Sequence, residues 1–156
     1  MEILNDFNTS VRKALEEIDP NYESYNGLVI CGTHSPHDVE MMIDKIQIAR
    51  EVGRPFLGIC FGHQLAAIEY ARNVMGIKDA TSEEFGKGTF VVKRTGELKV
   101  GLHGGETYWN NYEVIIETKH PKYFVTAQFH PEYQSSKFSP HPMLVDFIEK
   151  CKVYKP

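Results

Sequence analysis

Three side chains carry the chemistry that this sequence can offer. The first is Cys60, in Phe56-Leu57-Gly58-Ile59-Cys60-Phe61-Gly62-His63-Gln64-Leu65. An apolar run that reads as a buried strand leads into it, and a helical pattern leaves from it. Glycines stand two residues before and two residues after. This is the spacing of a nucleophile elbow, where a tight strand-to-helix turn needs missing β-carbons and lifts the middle side chain above the sheet. The N-terminus of the following helix carries partial positive charge, which favours a thiolate. The plain alternative is a buried cysteine beside a glycine-lined turn. A nucleophile also needs a base. Gln128-Phe129-His130-Pro131-Glu132 supplies a histidine at the end of a predicted strand. In extended chain, residues i and i+2 face the same way, so Glu132 can orient the His130 imidazole. Cys60, His130 and Glu132 together form a candidate catalytic set.

The elements that must position these groups follow from periodicity. Val11, Ala14, Leu15 and Ile18 predict a helix, capped by Thr9 or Ser10 and ended by Asp19-Pro20. Gly27-Leu28-Val29-Ile30-Cys31-Gly32 reads as a buried parallel strand. Pro36 and Asp38 open a second helix with Val39, Met42, Ile43, Ile46 and Ala49 on one face. Phe56-Leu57-Gly58-Ile59 is the next strand, and a third helix runs from about Gln64 to Met75 before Gly76. Thr89–Lys93, Tyr112–Glu117 and Tyr123–Phe129 read as strands, with Gly96, Gly101 and Gly104-Gly105 as turns. A last helix spans about Pro142 to Cys151, with Leu144, Phe147, Ile148 and Cys151 on one side. The order predicts an α/β fold with parallel strands early and antiparallel strands late.

The chain has 156 residues, which suits one domain, and the expectation is a single domain over 1–156. A net charge of -4 argues against a nucleic-acid backbone as the main partner. No apolar run approaches the length needed to span a membrane, and Met1-Glu2-Ile3-Leu4-Asn5-Asp6 does not read as a secretion signal. Cys31, Cys60 and Cys151 are three widely spaced cysteines, so the expected setting is a reducing cytoplasm without a disulfide scaffold. No cofactor is expected. Cys31, His34 and His37 have a metal-like spacing, but no second ligand pair is evident, and His34 or His37 shaping a substrate pocket is the preferred reading. Tyr108, Trp109 and Tyr112 read as core, with pocket lining as the alternative.

Gly58-Ile59-Cys60-Phe61-Gly62-His63-Gln64, followed by Phe129-His130-Pro131-Glu132, resembles the signature pair of the class I, triad-type glutamine amidotransferases. Within that family the chain is most similar to the glutaminase domain of the CTP synthases. The likeness extends through Glu69-Tyr70-Ala71-Arg72-Asn73-Val74, Asp79–Phe85 and Ser139-Pro140, from about residue 4 to residue 150. The resemblance implies a flavodoxin-like fold, with a parallel central sheet flanked by helices and a late antiparallel extension. It implies hydrolysis of the glutamine side-chain amide through a cysteine thioester, with Cys60 attacking, His130 transferring protons and Glu132 holding His130. It further implies that the Phe61 N–H is an oxyanion donor and that Gln64 and Glu84 hold substrate. The released ammonia would pass to a synthetase site, here on a separate subunit.

The sequence departs from the family in four ways. No synthetase domain is expected within these 156 residues. The N-terminal strands look missing, which would leave an open edge at Leu28-Val29-Ile30 and predicts a homo-oligomer, a partner subunit or a rearranged sheet. Where the family has Gly-Gly, Cys31-Gly32-Thr33 keeps only the first glycine. Gly32 and Thr33 remain the candidate second oxyanion loop, and loss of one such donor costs roughly 10²–10³ in rate. Finally, Glu106-Thr107-Tyr108-Trp109-Asn110-Asn111 lacks the arginine that binds the substrate carboxylate in the family. Asn111 could substitute, with Arg94 or Lys93 compensating. These departures keep two alternatives open: the same chemistry on another amide or γ-glutamyl compound, and a non-catalytic regulatory or binding homologue.

Overall fold

The computed structural model describes residues 1–103 and 106–156, and side chains outside 96–111. Four strands form a parallel sheet: β1 (Glu2–Leu4), β2 (Leu28–Ile30), β3 (Phe56–Ile59) and β7 (Phe124–Ala127), in the order β1-β2-β3-β7. Between them run α1 (Ser10–Ile18), α2 (Val39–Val52) and α3 (Phe61–Asn73), and α4 (Pro142–Val153) closes the chain. A second sheet contains β4 (Ala80–Ser82), β5 (Thr89–His103) and β6 (Glu106–Val114); β4 pairs parallel with β5, and β5 pairs antiparallel with β6.

The central strands are apolar on both faces because each face meets a layer of helices. Leu28, Ile30 and Phe56 point into a core shared with Met42, Ile43 and Ile46 of α2 and Leu65, Ala66 and Ile68 of α3. Val29, Leu57 and Ile59, one step out of phase, point into a second core with Leu15 of α1 and Leu144, Phe147 and Ile148 of α4. The period-two alternation of the strands thus sorts side chains into two helical layers. Truncating any of these fully buried leucines or isoleucines to alanine costs about 2–5 kcal/mol.

Several expectations change on contact with the structure. The edge of β2 is not open: Glu2, Ile3 and Leu4 pair with Leu28, Val29 and Ile30. The edge argument for an oligomer therefore moves to β1. That strand is only three residues long, and its Glu2 carboxylate is held by Lys45 at 2.7 Å and Arg54 at 3.1 Å. Neither Thr9 nor Ser10 caps α1. The buried Asp6 carboxylate accepts from the N–H groups of Val11 at 3.1 Å and Arg12 at 3.0 Å, and pairs with the Arg12 guanidinium at 3.1 Å. β7 runs parallel beside β3 and does not join the antiparallel pair. β5 and β6 are longer than the sequence suggests; Gly96 and Gly101 lie within β5, where the register shifts between Arg94 and Lys99. The apolar faces of α2 and α4 are buried, except that Val39 at the start of α2 is only partly covered, and Gly53 closes α2 with a left-handed φ of 77°. Among the described residues, no helix is long and apolar enough to cross a membrane.

Candidate active site

The site lies at the C-terminal ends of β2, β3 and β7. β3 ends at Ile59, Cys60 adopts φ 55° and ψ −100°, and α3 begins at Phe61. A positive φ is costly for a residue with a side chain and persists only where its surroundings impose it. Here three contacts do so. The Cys60 N–H donates to the Ala127 carbonyl of β7 at 2.8 Å. A β-carbon on Gly62 would be driven into the Ile30 carbonyl of β2. One on Gly58 would meet the Gly62 carbonyl carbon at 2.9 Å. The two glycines therefore let strand, turn and helix lie backbone against backbone, and the Cys60 side chain leaves the bend partly exposed. The Phe61 N–H, at the first helical position, has no intrahelical acceptor. The Phe61 ring is buried edge-on against Phe85, with centroids 6.0 Å apart.

His130 follows β7 by three residues, so the parallel pairing of β7 with β3 carries it to the elbow. Gly32, after β2, marks how closely the groups converge. A β-carbon there would lie 2.8 Å from His130 Cε1, 3.3 Å from His130 Nε2 and 3.2 Å from Cys60 Cβ. His130 Nδ1 lies 3.1 Å from Glu132 Oε2. This pairing arises in a 3-10 turn, Pro131–Gln134, and not in the extended chain the sequence suggests. The Tyr133 ring stacks on the imidazole at 5.3 Å and 20°. Burial disfavours the His130 cation, but hydrogen bonds to Cys60 and Glu132 and the charges of both outweigh it, raising the pKa to about 9. The Glu132 side chain is only 3% exposed, and its Oε1 has no partner among the described residues. A cavity of about 140 Å³ opens beside His130 and Glu132, bounded by Asp6, Phe7 and Cys31.

The other two cysteines sit in different surroundings. Burial pushes the Cys31 thiol well above its ordinary range, helped by the nearby Asp6 and Glu132 carboxylates. Burial raises Cys151 to about 12.

Gln64 is buried on the first turn of α3, and its Nε2 donates to Gln128 Oε1 at 3.4 Å. Gln128 Nε2 in turn donates to Cys60 Sγ at 3.5 Å. Gln128 is not among the residues that the motifs mark out. The signal for it was present, because it stands two residues before His130 just as Glu132 stands two after. Thr33 follows Gly32 without a left-handed backbone, and its hydroxyl accepts from the Ser35 N–H at 3.0 Å. Glu84 lies in the turn after β4, immediately before Phe85, and its backbone N–H donates to Ser82 Oγ at 3.1 Å. Burial raises the Glu84 pKa, partly offset by Arg94. Arg94 donates to the Tyr112 hydroxyl at 2.9 Å. The side chain of Asn111, like those of Tyr108 and Trp109, lies outside the described residues. Among the described residues no three His, Cys, Asp or Glu side chains are arranged to hold a metal ion. Cys31 is buried, and His37 Nδ1 donates to the Ser35 carbonyl at 2.9 Å.

The model of the glutamine amidotransferase class-I family matches residues 5–109, about two thirds of the chain and inclusive of Cys60. The chain belongs to the class I glutamine amidotransferases. Among curated relatives of this amidotransferase domain, a CTP synthase of Methanoculleus marisnigri is 32% identical over 182 residues, covering 83% of this chain and 34% of that protein. A CTP synthase of Sulfolobus acidocaldarius is 30% identical over 195 residues, covering 90% and 37%. The chain thus spans about a third of the length of the curated relatives it matches. Among solved structures, the Trypanosoma brucei CTPS glutaminase domain with bound acivicin superposes with a TM-score of 0.78 at 18% identity, covering 99% of this chain and 93% of that one. That likeness establishes the flavodoxin-like amidotransferase fold.

Proposed function

We propose that this amidotransferase domain hydrolyses the side-chain amide of glutamine through a Cys60 thioester and releases ammonia, the 156-residue chain acting as one catalytic unit. The observation that carries the reading is the convergence at Gly32, whose missing side chain leaves room for His130 directly beside the Cys60 elbow. The Cys60 thiolate attacks the amide carbon, and the tetrahedral oxyanion takes the Phe61 N–H and a backbone N–H of the Gly32-Thr33 loop. His130, held protonated by Cys60 and Glu132, gives its proton to the departing nitrogen. The C–N bond breaks, ammonia leaves and a thioester remains. Acylation removes the charge on sulfur, one of the influences that raise the His130 pKa. The imidazole is then a fitter base for the water that attacks the thioester and returns glutamate and free thiolate. Gln64, Glu84 and Asn111 would hold the substrate, with the Glu84 carboxylate suited to the α-ammonium. Ammonia would pass to a synthetase site. A nucleotide acceptor, and with it a role in nucleotide biosynthesis, rests on the CTP synthase relatives.

A second reading keeps the chemistry and changes the substrate. Thr33 in place of a glycine, and the absence of arginine from residues 106–111, favour another amide or a γ-glutamyl compound. Ammonia release from glutamine, beside a panel of amides, γ-glutamyl compounds and esters, separates the two. Cys60→Ala abolishes turnover in either case. A glutamine-like diazo-ketone that leaves Cys60 unlabelled, with no turnover of any panel member, overturns both and leaves a binding or regulatory homologue.

A further inference from the structure

Between the substrate-side Gln64 and the sulfur stands a residue that the mechanism above does not use. Gln128 follows β7 by one residue, on the segment that delivers His130. Its carboxamide is fixed at both ends: Oε1 accepts from the buried Gln64 at 3.4 Å, and Nε2 donates to Cys60 Sγ at 3.5 Å. A glutamine has one acceptor and one donor end, so a donor on its oxygen turns its NH₂ toward the sulfur. Cys60 then receives N–H character from Gln128 as well as the helix N-terminus and His130. Hydrogen bonds to an ionised group are the strong ones, and a donor pre-aimed at a charge-bearing atom needs no reorganisation during the reaction.

We infer that Gln128 is a catalytic residue: its Nε2 stabilises the Cys60 thiolate, and Gln64 positions it, so that Gln64 serves the nucleophile through Gln128 before it serves any substrate. This rests on the assignment of Cys60 as the nucleophile. Two kinds of loss are distinguishable. A glutamine that only contacts substrate lowers affinity and leaves the free enzyme's sulfur unchanged. A donor to sulfur changes the free enzyme itself.

The experiment is the pH profile of Cys60 alkylation by iodoacetamide in the full chain without substrate, with Cys60→Ala as the blank for Cys31 and Cys151. The wild type is compared with Gln128→Leu, which keeps the volume and removes the donor. Loss of a hydrogen bond to a charged atom moves the half-point of the profile upward by about one pH unit, and alkylation below both half-points slows about tenfold. With glutamine, kcat falls by a similar factor while KM changes by less than about threefold. Gln64→Leu shifts the alkylation profile in the same direction by a smaller amount, because Gln128 is left free to turn. If Gln128→Leu does not fold, Gln128→Asn, which withdraws the amide by one methylene, carries the same comparison. An unchanged profile in a folded Gln128 variant overturns the inference, whatever happens to turnover. Absence of glutamine turnover in the wild type, together with a profile that shifts in the variants, would instead count against the proposed substrate and leave the role of Gln128 standing.

Discussion

The convergence at Gly32 makes the sharpest prediction. Its backbone lies outside the left-handed region, so alanine brings no backbone strain, and the whole effect of Gly32→Ala is the contact of one methyl group. That methyl would sit 2.8 Å from His130 Cε1, so the ring must retreat by about 0.6 Å or more to reach ordinary contact. It cannot tilt freely, because Glu132 holds Nδ1 at 3.1 Å and Tyr133 stacks on its face at 5.3 Å. Cys60 is barred from yielding in the other direction by the elbow. The sulfur and the imidazole therefore separate. Misplacement of a reacting pair by about 1 Å costs on the order of a hundredfold, so kcat/KM for ammonia release from glutamine falls about ten- to a hundredfold. Global stability changes by no more than about 1–2 kcal/mol, because the colliding group is a side chain at a cleft. Gly62→Ala is the contrasting control. Its methyl would strike the Ile30 carbonyl, which is backbone, and melting temperature should fall together with activity. A Gly32→Ala protein that keeps ammonia release within twofold of wild type would refute the argument that this glycine sets the approach of His130 to Cys60.

Three further outcomes follow from the structure. His63 accepts or donates at Thr126 Oγ1 across 3.1 Å, and burial, assisted by His120, lowers its pKa to about 4. The unfolded chain takes up this proton near pH 6.5 and the folded protein only near 4, so stability declines on acidification through that window by up to about 3 kcal/mol. His63→Gln keeps a partner for Thr126, and urea melts at pH 7 and 4.5 should show less acid sensitivity than wild type. Asp6→Ala strips the cap of α1 and the Arg12 partner, and costs about 2–3 kcal/mol in the same melts. Arg50→Ala leaves the Glu69 carboxylate, 1% exposed, without its 2.7 Å partner, and lowers stability by about 3–5 kcal/mol, whereas Arg50→Ala with Glu69→Leu recovers most of it.

The parts of the fold that the sequence announced are those with strong periodicity. β2, β3, α2 and α4 bury long apolar stripes, and hydrophobic spacing reports burial directly. The elbow was legible because a strand–glycine–cysteine–glycine–helix run has few other geometries available. What periodicity does not encode is partnership. Nothing in Phe124–Ala127 says that it lies parallel beside β3, yet that placement delivers His130. Nor does Glu2–Leu4 present enough alternation to be read as a strand. Asp6 caps α1 from outside the residues adjoining the helix, through a loop that folds back with left-handed Asn5 and Thr9. The His130–Glu132 contact forms in a 3-10 turn, which the i, i+2 spacing of an extended chain does not encode. Gln128 escaped notice because a glutamine beside a histidine has no chemistry of its own until a sulfur and a second amide are brought to its two ends.

The seat of Gly62 against the Ile30 carbonyl has a wider consequence. The height of the Cys60 elbow above the sheet is fixed by main chain on main chain, with no side chain as spacer. Residues outside this main-chain contact, such as Thr33 and Glu84, can therefore be exchanged while the Cys60 sulfur stays anchored. A library built on those positions, with Gly58 and Gly62 held constant, would test other amides against a sulfur whose position the mutations do not touch.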